Sequence, residues 1–213
     1  MTARAVPAST VARLPIYLRA LEELADDGVG TTSSGQLAEL AGVGSAQLRR
    51  DLSFLGSHGV RGVGYDVVHL HAQVASALGV TRDLAVVIVG IGNLGHALAN
   101  YVAGTGRGFR VAALVDAVPE VVGTEVAGLV VEDAEDLETV VRRERARLAV
   151  LAVPGDVAQQ VCDRLVASGI TGILTFVPRV LQVPDGVDVR SVDLGTELQI
   201  LAFHQLRKTP RPG

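Results

Sequence analysis

By type and spacing alone, the residues of this chain best placed to do chemistry are Gly90, Gly92 and Gly95, the residues between them (Ile91, Asn93, Leu94), and a carboxylate at Asp116. The glycines follow Ala85–Val89, a short β-branched apolar run that reads as a strand buried on both faces. They precede HALANYVAG, which reads as a helix, so the G-x-G-x-x-G lies in the strand–turn–helix context it needs. Gly90 then permits a tight turn, Gly92 leaves the backbone open to a pyrophosphate, and Gly95 allows the helix to approach the sheet. The first turn of that helix offers unpaired N–H groups to phosphate oxygens. The next apolar run, FRVAALVD, ends in Asp116, 21 residues after Gly95. A carboxylate at that place accepts hydrogen bonds from a ribose 2′-OH. It would repel a 2′-phosphate, and residue 117 is Ala rather than Arg, so NAD+ and NADH are expected over their phosphorylated counterparts. A Gly-rich turn in an α/β core with no ligand is the alternative for these residues taken by themselves.

A second group lies nearer the N-terminus. Ser45, Gln47, Arg49, Arg50 and Ser53 fall between the inward positions Leu48, Leu52 and Leu55 of one short helical stretch. Before it, Ser33 or Ser34 caps another short helix carrying Leu37 and Leu40, and Ala41–Gly44 is a tight turn. Two short helices joined in this way make a helix-turn-helix, or else an ordinary αα-hairpin. The following SHGVRGVGYDV reads as a hairpin with Arg61 at its tip, which turns the reading into a winged helix on double-stranded DNA. Gln and Arg side chains read adenine and guanine edges in the major groove, and an Arg on a wing suits a narrow minor groove. Net charge is −4, yet Arg49, Arg50 and Arg61 stand against Asp51 alone within residues 43–65.

Stepping outward to the elements, 213 residues with 48% hydrophobic content support one or two domains with a substantial core, built of Val, Leu and Ala because aromatics are only 3%. The fold class expected is α/β: a winged helix-turn-helix domain with a linking helix at 1–80, a Rossmann-like doubly wound domain at 81–193, and a C-terminal helix and tail at 194–213. One helix, capped by Ser9 or Thr10, is expected to run to about Asp27, with Pro15 in its first turn; Ser45 is expected to cap the second helix of the pair. A charged surface helix is expected from 133 or 134 to 147, with strands at 128–133, 148–154, 172–177 and 187–193 and a helix at 156–168. Ligands of doubly wound sheets sit at the C-terminal strand ends, which brings Val153, Pro154, Phe176 and Pro178 toward the cofactor. The helix at 194–208 carries Leu198, Leu201, Ala202 and Leu206, more apolar surface than one small sheet requires, which points to a partner subunit.

Other chemistry is poorly supported. The single cysteine, Cys162, excludes an internal disulfide and a multi-cysteine zinc site, and reads as a helix residue facing the sheet. His69 and His71 are two apart and do not share a helix face, so no metal is expected. A dehydrogenase needs a proton-transfer group at the nicotinamide. His96 sits beside the phosphates instead, His204 lies among apolar residues, and about 130 residues beyond the first domain leave no room for a substrate domain. No catalytic residue is therefore assigned, and the competing readings are a dehydrogenase and a CoA-binding regulatory module. No apolar run reaches membrane-spanning length and the N-terminus lacks the apolar stretch of a secretory leader, so the chain is expected in the cytoplasm.

Taken together, RLPIYLRALEEL (13–24), SSGQLAELAGVGSAQLRRDLSFLGSHGVRGVGYDV (33–67), VGIGNLGHALANY (89–101), GILTFVP (172–178) and VDLGTELQILAFH (192–204) resemble the Rex family of redox-sensing transcriptional repressors. The resemblance implies a homodimer on an inverted-repeat operator, with the last helix exchanged into the partner, released from DNA by NADH and not by NAD+. It further implies a relay in which Asp193 pairs either with Arg19 of the partner subunit or with Tyr101. Two departures stand out: Arg50 replaces the family's usual Lys, and Phe176-Val177-Pro178 replaces Phe-Ala-Pro, adding bulk near the expected nicotinamide pocket.

Overall fold

The computed structural model describes residues 6–56, 59–60, 62–105 and 108–208, without the side chains of 207 and 208. The chain divides into two compact units, 1–82 and 83–213.

In the first unit, α1 (Ala8–Val11) and α2 (Leu14–Asp26) replace the single helix expected from Ser9 or Thr10. Pro15 lies in the first turn of α2, where its missing N–H costs nothing. Thr10 caps nothing; its hydroxyl points inward to Asp51. A two-residue strand β1 (Thr31–Thr32) leads to α3 (Ser34–Leu40), whose Ser33 cap accepts from the Gln36 N–H at 3.1 Å. The second helix of the pair, α4 (Ser45–Phe54), has Gly44 at its N-cap, so Ser45 is its first residue and not its cap. Strand β2 (Tyr65–Asp66) pairs antiparallel with β1, and α5 (Val67–Leu78) follows, Asp66 accepting from the His69 N–H at 2.7 Å. Tyr17, Leu21, Leu37, Leu48, Leu52, Val67 and Val74 form one core with no exposed surface, each large side chain stabilising by about 1.5–3 kcal/mol. Leu40 is not part of it: it is exposed, and the small Ala38 and Ala41 are buried in its stead. Val60 and Gly64 form an antiparallel bridge, the inner end of the predicted wing; Arg61 lies outside the described residues.

The second unit begins with β3 (Leu84–Val89), α6 (Asn93–Thr105) and β4 (Phe109–Asp116). A small hairpin of β5 (Glu125–Val126) and β6 (Leu129–Asp133) follows, its first strand unforeseen. One 3-10 turn (Ala134–Asp136) leads to α7 (Leu137–Glu144), then β7 (Leu148–Leu151), α8 (Ala158–Ala167), β8 (Gly172–Thr175), β9 (Asp188–Ser191) and α9 (Leu194–Lys208). The sheet order is β5-β6-β4-β3-β7-β8-β9, parallel except at β5. Side chains alternate across a strand. Val87 and Val89 of β3 therefore pack with α7 and α8, while Val86 and Ile88 pack with Ala99 of α6 on the other face. Helices on both faces make the sheet doubly wound, and the chain reverses direction around β3.

The expected charged helix at 134–147 is shorter and one-sided: α7 buries Leu137, Val140 and Val141 and stops at Arg145, whose φ of 52° no helix continues. Cys162 faces the sheet, fully buried. Leu198, Leu201 and Leu206 of α9 are 66%, 61% and 77% exposed, an apolar surface left uncovered within the chain. Among the described residues, no helix is long and apolar enough to cross a membrane.

Candidate functional site

The turn between β3 and α6 is built by its glycines. Gly90 has φ +91°, and a Cβ there would stand 2.6 Å from the Ala152 carbonyl oxygen. A Cβ at Gly95 would strike the Gly90 carbonyl oxygen, so the first turn of α6 can close over the loop only without a side chain. Gly92 differs: a Cβ would meet no protein atom within 4 Å. The fold does not need that glycine, and the space beside it is free for a ligand. At the end of β4, Asp116 is buried and accepts from the Ile91 N–H at 2.5 Å and the Val118 N–H at 2.8 Å. The carboxylate is thus held against the glycine turn by two backbone donors, with its remaining lone pairs able to take hydroxyl donors.

These residues meet at a cavity of about 660 Å³ at the C-terminal strand ends. Of the sequence-predicted residues, Gly90, Gly92, Asp116, Val153 and Pro154 line it. Val89, Ala117, Val118, Ala134, Ala152, Val157, Gln160, Val161 and Arg164 complete the wall. The last four come from one turn-and-helix segment, and only its position after a buried strand hinted at their place. Ile91, Asn93, Leu94 and Gly95 shape the turn rather than the wall. Phe176 and Pro178 do not line the cavity: Phe176 packs against the core on the α6 face, and Pro178 is exposed. Val177 is buried in the core on the α7 and α8 face, so the bulk it adds is taken up by packing there.

Arg164 approaches the cavity with its charge already matched. Its Nε and Nη2 donate to the two Glu138 carboxylate oxygens at 2.6 and 2.8 Å, and Nη2 also donates to the Ala134 carbonyl at 2.8 Å. The guanidinium pulls Glu138 down to about 2. The ion pair with Glu138 offsets the charge that Arg164 brings to the cavity wall. His96 is exposed on α6, its Nδ1 3.2 Å from the Asn100 amide nitrogen, and His204 is exposed on α9; neither lines the cavity.

In the first unit, α4 carries the predicted DNA-facing residues. Arg49, Arg50 and Ser53 are exposed, and Ser45 and Gln47 are half-buried. Arg49 donates to the Ser34 hydroxyl at 3.0 Å, and both line an open groove bounded by Val60, Val63 and Tyr65. Ser53 turns its hydroxyl back to the Arg50 carbonyl at 2.7 Å. Gln47 is drawn inward, its amide nitrogen donating to Asp51 at 2.9 Å.

Asp51 is the residue the sequence concealed. It has no exposed surface. Its Oδ1 accepts from Thr10 Oγ1 at 2.8 Å, Arg13 Nη2 at 2.9 Å and Gln47 Nε2 at 2.9 Å, and its Oδ2 from Arg13 Nε at 2.6 Å and Tyr17 Oη at 2.7 Å. Burial alone would raise this carboxyl, but the hydrogen bonds from Arg13, Tyr17, Thr10 and Gln47 outweigh it and hold Asp51 well below the usual carboxylate range. Burial, followed by the neighbouring carboxylate, pushes the Tyr17 hydroxyl up to about 12.

The residues of the relay stand as follows. Arg19 is exposed on α2, and Tyr101 is exposed on α6. Asp193 is half-buried and accepts from the Gly195 N–H at 2.9 Å, the Thr196 N–H at 3.1 Å and the Thr196 hydroxyl at 2.8 Å, which makes it the cap of α9.

Known proteins match this arrangement along its length. Residues 5–53 fit the family model "Putative DNA-binding protein N-terminus", and residues 81–179 fit "CoA binding domain". A redox-sensing transcriptional repressor Rex of Streptomyces coelicolor is 58% identical over 205 residues, 96% of this chain and 80% of that one. The crystal structure of RSP in complex with β-NAD+ and operator DNA matches with a TM-score of 0.90 at 35% identity, covering 96% of this chain and 94% of that one. RSP in complex with β-NADH matches with a TM-score of 0.84 at 34% identity, covering 96% of each chain.

Proposed function

The chain belongs to the Rex family of redox-sensing transcriptional repressors, and we propose that it binds an inverted-repeat operator as a homodimer and leaves it when NADH occupies the second unit. The observation that carries this reading is the near-complete match to a protein crystallised with a nicotinamide dinucleotide and operator DNA. The cavity fits the same ligand. Gly92 leaves room for the pyrophosphate, Asp116 takes the adenosine ribose, and the apolar surface of Val118, Ala134, Val157 and Val161 suits the adenine ring. NAD+ carries a positive ring and NADH a neutral one, so a nicotinamide site poor in water favours NADH. A difference of about 2.8 kcal/mol amounts to about 100-fold. To release DNA, NADH must favour an arrangement of the protein other than the DNA-bound one.

The DNA contacts assigned are Ser45, Gln47, Arg49, Arg50 and Ser53, with Arg61 on the wing. Subunit pairing is supported by the uncovered apolar surface of α9, which suits exchange into a second copy. We place the protein in the cytoplasm with the DNA it binds, and assign it no catalytic activity: His96 and His204 do not line the cavity, and the relatives are named as repressors. The CoA-binding family match keeps CoA as a second ligand to test. CoA bears a phosphate on its ribose, which Asp116 disfavours.

The test is fluorescence anisotropy of a labelled inverted-repeat duplex with the purified protein, titrated with NADH, NAD+, NADPH and CoA. Release by micromolar NADH, resisted by added NAD+ and absent with NADPH, is the expected result. DNA binding indifferent to every nicotinamide nucleotide would overturn the sensing role, and release by CoA alone would replace the ligand.

A further inference from the structure

Asp51 and Gln47 are one turn apart on α4, the helix read above as entering the major groove, and the inference rests on that reading. Four of the five hydrogen bonds on the Asp51 carboxylate come from Thr10, Arg13 and Tyr17, on α1, at the junction and on α2. The carboxylate is therefore a fixed post, set by the scaffold and not by α4 itself. An ionised carboxylate only accepts, so the Gln47 amide must turn its nitrogen toward Asp51, as it does at 2.9 Å. One amide hydrogen is spent there. The other, together with Oε1, remains as one donor beside one acceptor. That pair is the complement of adenine in the major groove, where N7 accepts and N6–H donates.

We propose that Asp51 is a positioning residue for DNA reading, holding the Gln47 amide in the one orientation that recognises adenine in each half-site. A Gln free to flip its amide presents donor and acceptor in either order; one tied to Asp51 does not. Arg49 and Arg50, exposed on the same helix, supply charge and guanine contacts, while Gln47 supplies a preference at a single base pair.

The experiment selects duplexes from a randomised pool with the full-length chain, then measures binding to the selected duplex and to versions changed one base pair at a time. Gln47→Met is expected to lose roughly tenfold discrimination at one A·T pair per half-site and little elsewhere. Asp51→Asn is expected to lose the same discrimination at the same pair, and the double variant no more than either alone. Should Asp51→Asn fail to fold, Thr10→Ala with Tyr17→Phe removes two hydrogen bonds from the same post, and a partial loss at that pair is expected. Loss spread evenly over all base pairs in the Asp51 or post variants would make Asp51 structural only and overturn the proposal. An unchanged preference in Gln47→Met, with Arg49→Ala altering it, would overturn the proposal while leaving α4 as the reading helix. A wild-type chain selecting no sequence would overturn both.

Discussion

At the residue scale, the three glycines of the turn look equivalent in sequence and are not equivalent in space. Gly95 is required by the fold, because a Cβ there would strike the Gly90 carbonyl oxygen. Gly92 is not required by the fold, because its Cβ direction is open, and under the proposed function the ligand is what requires it. Gly95→Ala is expected to destabilise the second unit by about 1–3 kcal/mol, the usual cost of overpacking. Gly92→Ala, on exposed backbone, is expected to change stability by no more than about 0.5 kcal/mol and still to weaken NADH binding at least tenfold. Urea unfolding followed by circular dichroism and a titration of NADH fluorescence separate the two effects. Equal loss of stability in both variants would mean that the turn itself, not the ligand, demands Gly92. Asp116 stood out in the sequence as a carboxylate closing a β-branched run 21 residues after Gly95, and the structure sets it against the glycine turn through the Ile91 N–H; its place at a ribose belongs to the proposed function.

At the scale of elements, periodicity carried much of the fold. The unbroken apolar runs of β3 and β4 and the full extent of α9 stand in the sequence, because local composition and spacing decide how such segments are buried. What did not stand there depended on distant parts of the chain. The break between α1 and α2 serves the Asp51 cluster: Thr10 and Arg13 lie 41 and 38 residues from Asp51, and nothing local announces that they meet. In sequence Asp51 is merely the acid beside Arg49 and Arg50. Spacing alone does not separate Leu37 from Leu40 on α3: the first is buried and the second exposed, because only the first has a neighbour to cover it. The Asp51 cluster ties α4 to α2, and a pH dependence follows. A carboxyl held below its unfolded value stabilises the fold fully above about pH 4, the unfolded pKa, and that stability is lost as pH falls toward the folded value. Amide exchange in α4 is therefore expected to quicken as pH drops below about 4, after correction for the intrinsic exchange rate, and to do so less in Asp51→Asn. At neutral pH, Tyr17→Phe removes one hydrogen bond to a buried charge and is expected to cost about 1.5–3 kcal/mol. An acid response in Asp51→Asn as steep as in the wild-type chain would place the sensitivity elsewhere.

At the scale of the whole molecule, the question is how the nucleotide unit informs the DNA-binding unit, and Asp193 is where the proposed relay and the observed structure meet. In this structure its carboxylate caps α9 through Gly195 and Thr196, the helix whose uncovered leucines suit a second subunit. Replacing it by alanine would remove the cap, at about 1 kcal/mol, along with any charge that Arg19 of the partner subunit could pair with, so a loss of response would have two causes. Asparagine caps a helix about as well as aspartate but carries no charge. Asp193→Asn is therefore expected to keep the proposed dimer and its unfolding midpoint, to bind operator and NADH, and yet to need far more NADH for release. A ligand shifts a two-state equilibrium only by its differential affinity, so weakening one state's ion pair changes the release midpoint without abolishing either binding event. Sedimentation velocity checks the dimer, and the anisotropy titration reads the release. Wild-type release by Asp193→Asn would show that the charge carries no signal and leave Asp193 as the cap of α9 and nothing more.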